Sequence, residues 1–159
     1  MKRAHFNYKF SVSKTQREVF DKICLVSKWW TTDVDGVVER LHDEFTVHFG
    51  DSFVKMEVTQ MVPEKKMSWT VQNCFWPFFK HKTEWIGTTI NWNITPNGNL
   101  TQLSIAHIGL VPEAECFEIC KEGWGLYAGN SLFRLITENR GIPFEATGNQ
   151  NNRKCESEL

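Results

Sequence analysis

Between residues 37 and 110, apolar residues recur at every second position in one segment after another. Successive side chains of a β-strand point to opposite faces, so this period predicts strands with one apolar and one polar face. The predicted strands cover residues 45–49, 54–58, 67–71, 88–94 and 103–107. Strands of this kind build an antiparallel sheet that water wets on one side only. Another element must therefore cover the apolar side.

A strand and a helix precede this region. Residues 6–12 also alternate, which predicts a first strand. Thr15 and Glu18 have the spacing of a helix-capping box, so a helix is expected to begin there. The side chains expected to face inward from this helix are Val19, Phe20, Ile23 and Val26.

Two adjacent tryptophans, Trp29 and Trp30, stand at the end of that helix. Neighbouring helical residues point about 100° apart, so the two rings are not expected to share one flat contact. We expect Trp30 to be the more buried ring and Trp29 to lie at the rim of a pocket.

Residues 114–139 form the one long helix candidate after the strands. Phe117, Cys120, Trp124 and Leu135 fall on one stripe, as a helix covering a sheet requires. The helix contains three glycines, which allow a bend or a close approach to the sheet: Gly123, Gly125 and Gly129. The polar segment 145–159 is predicted to be a disordered tail.

Composition excludes several classes of function. The net charge of −1 gives no basic footprint for nucleic acid. No run approaches the roughly 18 apolar residues of a membrane span, and the first ten residues lack a secretory signal, so we expect a cytoplasmic protein without stable membrane insertion. Five scattered cysteines fit reduced thiols. Cys116 and Cys120 could share a metal, but no second Cys or His pair accompanies them, and no metal or cofactor is predicted.

Three blocks carry a family resemblance: "REVFDKICLVSKWW", "WIGTTINWNITPNGNLTQLSIAHIGL" and "CFEICKEGWGLYAGNSLFRLITENRGIP". With the first strand they span about residues 6–144. The chain resembles the START-like helix-grip superfamily (SRPBCC, or birch-allergen-like). More closely, it resembles the branch homologous to the C-terminal domain of the activator of the heat-shock chaperone ATPase.

The resemblance implies an α+β helix-grip domain over residues 1–144. Six to seven curved antiparallel strands would wrap around a long C-terminal helix, with short helices after the first strand. It also implies a cavity between sheet and helix, which the superfamily uses for lipids, sterols, hormones and polyketides. A few members are polyketide cyclases, but no catalytic signature of the family can be transferred to this sequence.

Seven residues are candidates for binding a ligand in that cavity: Trp30, Trp69, Phe78, Trp92, His107, Trp124 and Tyr127. Aromatic rings suit the walls of an apolar pocket, and Trp and Tyr add a polar tip. The alternative is that the same rings simply fill the core.

His107 is also the candidate for catalysis, because it alternates with Leu103 and Ile105 onto the apolar face. An imidazole there could act as a general acid or base with Tyr127 or Glu84 in support. The alternative is a core histidine satisfied by a backbone or Tyr127 hydrogen bond. Glu84 faces inward only if the strand is unbroken, whereas a bulge at Gly87 would turn Trp85 inward instead.

The segment "NCFWPFFKHK", residues 73–82, is unusually aromatic for a connection between strands. Pro77 interrupts the strand, which favours a lid over the cavity mouth or an exposed patch for a partner. The alternative is a strand end folded into the core.

These observations support three hypotheses about function. The leading one is a binding protein for a hydrophobic or amphipathic small molecule, in a sizeable aromatic-lined pocket. The second is a cyclase- or hydrolase-like enzyme that uses His107. The third is a chaperone-related interaction module, which the resemblance suggests, although the activator also contacts its chaperone through a separate N-terminal domain that we do not find in this sequence.

Overall fold

The computed structural model describes residues 6–77, 79–111, 114–115 and 117–145. Its elements in chain order are β1 (Phe6–Val12), α1 (Gln16–Cys24), α2 (Val26–Trp29), β2 (Val34–Gly36), β3 (Glu44–Phe49), β4 (Ser52–Val62), β5 (Lys66–Phe75), β6 (Thr89–Asn97), β7 (Leu100–Ile108), α3 (Phe117–Leu126), a π-helical turn (Tyr127–Leu132) and α4 (Phe133–Glu138). The predicted tail lies outside the described residues, except for Glu145.

The seven strands form one antiparallel sheet in the order β1-β7-β6-β5-β4-β3-β2. Strands β2 to β7 follow one another as a meander, and β1 adds to the outer edge of β7. Along β3 to β7 the residues of the apolar period are buried, as the alternation predicts, whereas in β1 Tyr8 is exposed and Phe10 is half-buried. The α+β architecture, with helices on one face of the sheet, is confirmed.

Local geometry bends the sheet and ends its strands. The pairing of β4 with β5 shifts register after Lys55 and again after Val58, and such bulges increase twist and bending. Strand β2 ends at Gly36, whose φ is +90°. A Cβ on Gly36 would lie within 2.4 Å of the Glu44 carbonyl oxygen, so only glycine fits there.

Helix α1 begins where the capping box predicts. The Thr15 hydroxyl accepts a hydrogen bond from the Glu18 N–H at 3.0 Å. In return, the Glu18 carboxylate accepts one from the Thr15 N–H at 2.9 Å. The four predicted inward residues, Val19, Phe20, Ile23 and Val26, are all buried. The predicted start of the helix and the predicted burial of its inward residues are both confirmed.

The long C-terminal helix is present but is not a continuous α-helix. Its buried stripe recurs every four residues: Cys120, Trp124, Ala128, Leu132 and Ile136. At 3.6 residues per turn, this spacing drifts by about 40° per step and would carry the stripe away from the sheet. The π-helical turn closes its hydrogen bonds five residues apart and winds less per residue, which keeps the stripe on one face.

The same turn brings the helix close to β1. A Cβ on Gly129 would lie 2.5 Å from the Tyr8 hydroxyl, which explains the glycine at this position. Gly125 faces open space, so close approach does not explain it. Asn139, in the left-handed conformation with φ 62°, ends α4. The chain then returns to α2, where the Phe144 N–H donates to the Trp30 carbonyl at 2.9 Å.

Candidate functional site

Tryptophan rings fill the space between the sheet and the C-terminal helix. Trp69 and Trp92 rise from β5 and β6 with ring centroids 5.1 Å apart. Trp124 descends from α3, and its ring lies 5.3 Å from that of Trp30. Trp85 stacks on Trp124 at 6.2 Å. The interior is therefore a continuous aromatic cluster contributed by five different parts of the chain.

Within this cluster lies a cavity of about 20 Å³. That volume holds about one water molecule. The residues that line it are Trp30, Phe49, Trp76, Trp85, Cys120, Gly123, Trp124 and Tyr127. The rings expected to form the walls of a sizeable pocket therefore occupy most of its volume.

The predicted binding residues divide into three groups. Trp30, Trp124 and Tyr127 line the cavity. Trp69 and Trp92 are fully buried in the sheet side of the cluster and do not line it. Phe78 lies outside the described residues. Spacing placed these side chains on the inner face, but it could not separate cavity walls from packed core.

The order of burial predicted for the tryptophan pair is reversed. Trp29 is 0% exposed and its indole N–H donates to the Ile23 carbonyl at 3.0 Å. Trp30 is 4% exposed and is the ring that lines the cavity. The two rings stack on each other, 5.3 Å apart and 4° from parallel. The two rings can stack because α2 ends at Trp29 and Trp30 lies in the turn that follows, so the angle between successive residues of a regular helix does not apply to them.

His107 is buried and both of its ring nitrogens are occupied. Its Nδ1 accepts from the Trp124 indole N–H at 3.1 Å. The proton must then sit on Nε2, which donates to the Thr88 hydroxyl at 2.9 Å. The Thr88 hydroxyl in turn donates a hydrogen bond to the Trp85 carbonyl at 2.7 Å. His107 of β7 is thus joined by hydrogen bonds to α3 and to the residues just before β6. Its partners are Trp124 and Thr88 rather than the backbone or Tyr127.

This environment removes the basis for acid–base chemistry at His107. Burial lowers its pKa from 6.5 to about 3, so the ring is neutral at physiological pH. Its lone pair is engaged by Trp124 and it does not line the described cavity. No hydrogen bond joins it to Tyr127 or Glu84 among the described residues. The geometry does not support the predicted catalytic group.

The depressed pKa makes a testable contribution to stability. Unfolded histidine binds a proton below about pH 6.5, whereas folded His107 does not until about pH 3. The unfolded state therefore binds more protons in this window, and stability falls as the pH decreases. We expect His107 alone to reduce the free energy of unfolding by about 2 kcal/mol between pH 7 and pH 5. Urea denaturation at each pH measures the change.

The variant His107→Gln should lose most of this pH dependence, whatever its stability at pH 7. The exposed His81 offers a control, and His81→Gln should keep the wild-type slope. The carboxylates with lowered pKa, including Glu18 and Glu115, act mainly below about pH 5 and do not obscure the window. An equal slope in wild type and His107→Gln would contradict the assignment.

The aromatic connection between β5 and β6 folds into the core. Trp76, Phe79 and Trp85 are buried, whereas Phe75 is exposed. Gly87 has a φ of +89° and Trp85 faces inward, so the bulge alternative is correct and Glu84 lies only partly buried. Because Trp76 and Trp85 both line the cavity, this connection closes one of its sides.

A carboxylate fastens the connection to the chain just before α3. The Glu115 side chain accepts from the backbone N–H groups of Lys80 at 3.0 Å and His81 at 2.9 Å. These bonds hold the pKa of Glu115 below its ordinary value. Glu84 in turn accepts from the Glu115 N–H at 2.8 Å. Sequence analysis missed this clamp, because its parts lie about 30 residues apart and no local pattern marks them.

In the described part of the chain, no group of three or more His, Cys, Asp or Glu side chains could hold a metal ion. Cys24, Cys74 and Cys120 are not joined in disulfides. Cys116 lies outside the described residues. Of the helices described, none has the length and apolar character needed to cross a membrane.

Comparison with known proteins identifies the type of domain. The family model "Activator of Hsp90 ATPase homolog 1-like protein" matches residues 19–137. The structure is similar to the Aha1 dimer from Colwellia psychrerythraea, with a TM-score of 0.65 and 17% identity over 79% of this chain and 90% of that one. Protein MLL2253 from Mesorhizobium loti matches with a TM-score of 0.66 and 15% identity over 86% and 100%.

A third similar structure is DynU16, a protein of the dynemicin biosynthetic locus. Its TM-score is 0.63 at 19% identity, over 85% of this chain and 48% of that one. Among curated protein sequences none gives a significant match. At these identities the structural neighbours establish a shared fold, and the predicted helix-grip architecture is confirmed.

Proposed function

The chain belongs to the activator of Hsp90 ATPase homolog 1-like family, and from that premise we propose that it binds one small aromatic or amphipathic molecule in its aromatic interior. Trp30, Trp124 and Tyr127 are the proposed contacts, since each lines the cavity. A flat ring can enter between indoles with little displacement, whereas a lipid tail needs far more volume than the interior offers. The proposal therefore favours an aromatic ligand over a lipid.

The observation that carries the proposal is an unsatisfied donor in the cavity wall. Trp85 lines the cavity, and its buried indole N–H has no acceptor among the described residues. A buried donor without a partner costs about 1–3 kcal/mol. A ligand oxygen in the cavity would remove that cost, so the wall favours an aromatic molecule that carries a hydrogen-bond acceptor.

Entry requires the connection between β5 and β6 to move. Trp76 and Trp85 close the cavity from that one irregular segment, while Trp124 belongs to α3 and Trp30 to the turn that follows α2. Glu115 fastens the segment through two backbone N–H groups at an exposed position. Opening this clamp is the smallest rearrangement that enlarges the cavity, and it leaves the sheet intact. The locus of DynU16 favours a small-molecule role for the fold.

The test compares two ligands of equal shape, 2-naphthol and 2-methylnaphthalene, by calorimetric titration and thermal shift. Both should raise the melting temperature, and 2-naphthol should bind more tightly because its hydroxyl can accept from Trp85. The variant Trp85→Phe should lower the affinity for 2-naphthol about three- to tenfold and leave 2-methylnaphthalene unchanged. Trp92→Phe is the matched control, since the Trp92 N–H also has no acceptor among the described residues but Trp92 does not line the cavity.

The clamp gives a kinetic readout. Glu115→Gln weakens the hold on the connection, so 2-naphthol should associate several-fold faster than with the wild type. If no aromatic compound raises the melting temperature of the wild type or of Glu115→Gln, the interior is only a packed core and the proposal fails. The alternative of a chaperone-related interaction module would then be favoured. That alternative is tested by measuring whether the protein stimulates the ATPase activity of a purified Hsp90 chaperone.

A further inference from the structure

A second and larger depression lies outside the sheet–helix interior. It is an open groove of about 700 Å³ between α1, the chain that follows β2, and the turn joining β4 to β5. The groove and the aromatic cavity have no lining residue in common. Its volume falls within the range of roughly 300–1,000 Å³ typical of small-molecule sites. We call it the α1 groove.

The floor of the α1 groove is apolar. Phe20, Val26 and Val38 form buried parts of it. At the rim, Leu25 and Val37 are 43% and 53% exposed, although both are large aliphatic side chains. A continuous apolar strip therefore runs from the floor to solvent, and a hydrocarbon body lying on it would remove this surface from water.

The charges around the strip are mostly negative. One guanidinium, Arg17, and three carboxylates, Asp21, Glu39 and Glu64, line the groove, so its net formal charge is −2. Arg17 is already shared between Asp21 and Glu64, each at 3.3 Å. The Glu39 carboxylate has no ion-pair partner in the described part of the chain. The carboxylates of the groove thus exceed its guanidinium by two charges, and Glu39 carries one of them.

The electrostatic field of these carboxylates also acts on the floor of the α1 groove. Cys24 lies there, and burial raises the pKa of its thiol to about 12, with further contributions from Asp21 and Glu39. Two carboxylates from different elements therefore act on the same point, one on α1 and one on the chain after β2. A cation placed near Cys24 would meet both of them.

We propose that the α1 groove binds an amphipathic organic cation. Its ammonium group lies at the carboxylates of Asp21 and Glu39, and its apolar body covers Phe20, Val26 and Val38. The depth of the apolar floor selects a molecule with a hydrocarbon portion, and the net negative charge selects against an anionic one. This site is separate from the aromatic interior and does not depend on the function proposed for it.

Three probes with the same eight-carbon chain test the proposal by calorimetric titration below their micellar concentrations: octyltrimethylammonium, 1-octanol and octanesulfonate. Octyltrimethylammonium should bind most tightly and octanesulfonate most weakly. Affinity for the cation should fall with added salt, because its partners are exposed. In the double variant Asp21→Asn/Glu39→Gln, affinity for octyltrimethylammonium should fall about three- to tenfold while affinity for 1-octanol is unchanged.

A matched control separates a local contact from the overall charge. The double variant Glu118→Gln/Glu122→Gln removes two carboxylates from α3, outside the groove, and should bind the cation as the wild type does. The proposal is overturned if no probe binds, if octanesulfonate binds as well as the cation, or if the control variant loses affinity equally. These outcomes leave the naphthol experiment unaffected, since the two sites share no residue.

Discussion

Replacing Trp29 with alanine should lower the free energy of unfolding by about 3–5 kcal/mol, the usual cost of truncating a large buried aromatic side chain. The ring is fully buried, stacks on Trp30 and meets Trp92 edge to face at 5.7 Å. Its removal leaves a void that neighbouring rings cannot fill, because the sheet holds them in place. Urea denaturation followed by circular dichroism measures the change.

The control separates packing from hydrogen bonding. Trp29→Phe keeps an aromatic ring but removes the N–H that donates to Ile23. Loss of one such bond, with a small loss of volume, should cost about 1–2 kcal/mol. If Trp29→Ala costs no more than Trp29→Phe, the ring is not part of the core and the described packing is wrong.

Ser131→Ala should lower the free energy of unfolding by about 2–3 kcal/mol although it removes a single oxygen atom. The buried Ser131 hydroxyl donates to the Trp29 carbonyl at 2.7 Å and accepts from the Ile142 N–H at 2.7 Å. It is the point where α2, the π-helical turn and the returning chain meet. Alanine leaves a backbone acceptor and a backbone donor without partners, which costs more than the net worth of either bond.

The neighbouring residue provides the comparison for Ser131. Asn130 lies in the same π-helical turn, but its side chain accepts from Arg134 at 3.0 Å on the exposed side. Asn130→Ala should therefore change the free energy of unfolding by no more than about 0.5 kcal/mol. Equal effects of the two substitutions would show that helix propensity, rather than the buried hydrogen bonds, determines the stability of this turn.

Trp29→Ala and Ser131→Ala both remove contacts that pack the aromatic interior. The pair of α2 tryptophans is held from behind by Ser131 and by the pairing of Thr31 with Phe144. The rings are thereby pressed onto Trp69 and Trp92 of the sheet. These contacts join the two tryptophans to both the sheet and the C-terminal helix, whereas the cavity wall formed by Trp76 and Trp85 comes from the irregular connection between β5 and β6.

Features that depend on near neighbours in sequence could be predicted from it. The period of two determines which side chains of a strand face the core, so residues such as Ile90, Trp92 and His107 were placed inward correctly. The capping box at Thr15 depends on a few adjacent residues and could also be predicted. The resemblance then implied that the curved sheet wraps around the long C-terminal helix.

Features that depend on volumes and distant partners could not be predicted. Whether inward aromatic rings leave a pocket or fill it is a matter of a few tens of Å³, which no spacing records. Trp29 and Trp30 are chemically identical, and only the Ile23 carbonyl and the surrounding rings decide which lines the cavity. His107 is neutral because burial lowers its pKa, and the side chains that meet it in the core, Trp124 and Thr88, lie on separate elements.

The sequence by itself determined the framework: alternating strands, a capped first helix, and a final helix whose apolar stripe faces the sheet. These follow from the fixed geometry of the backbone, which acts over a few residues. Tertiary structure alone decided the π-helical turn, the closed aromatic interior and the acidic α1 groove. Each of these arises where side chains far apart in sequence compete for the same space or charge, and that competition is settled only when the whole chain is packed.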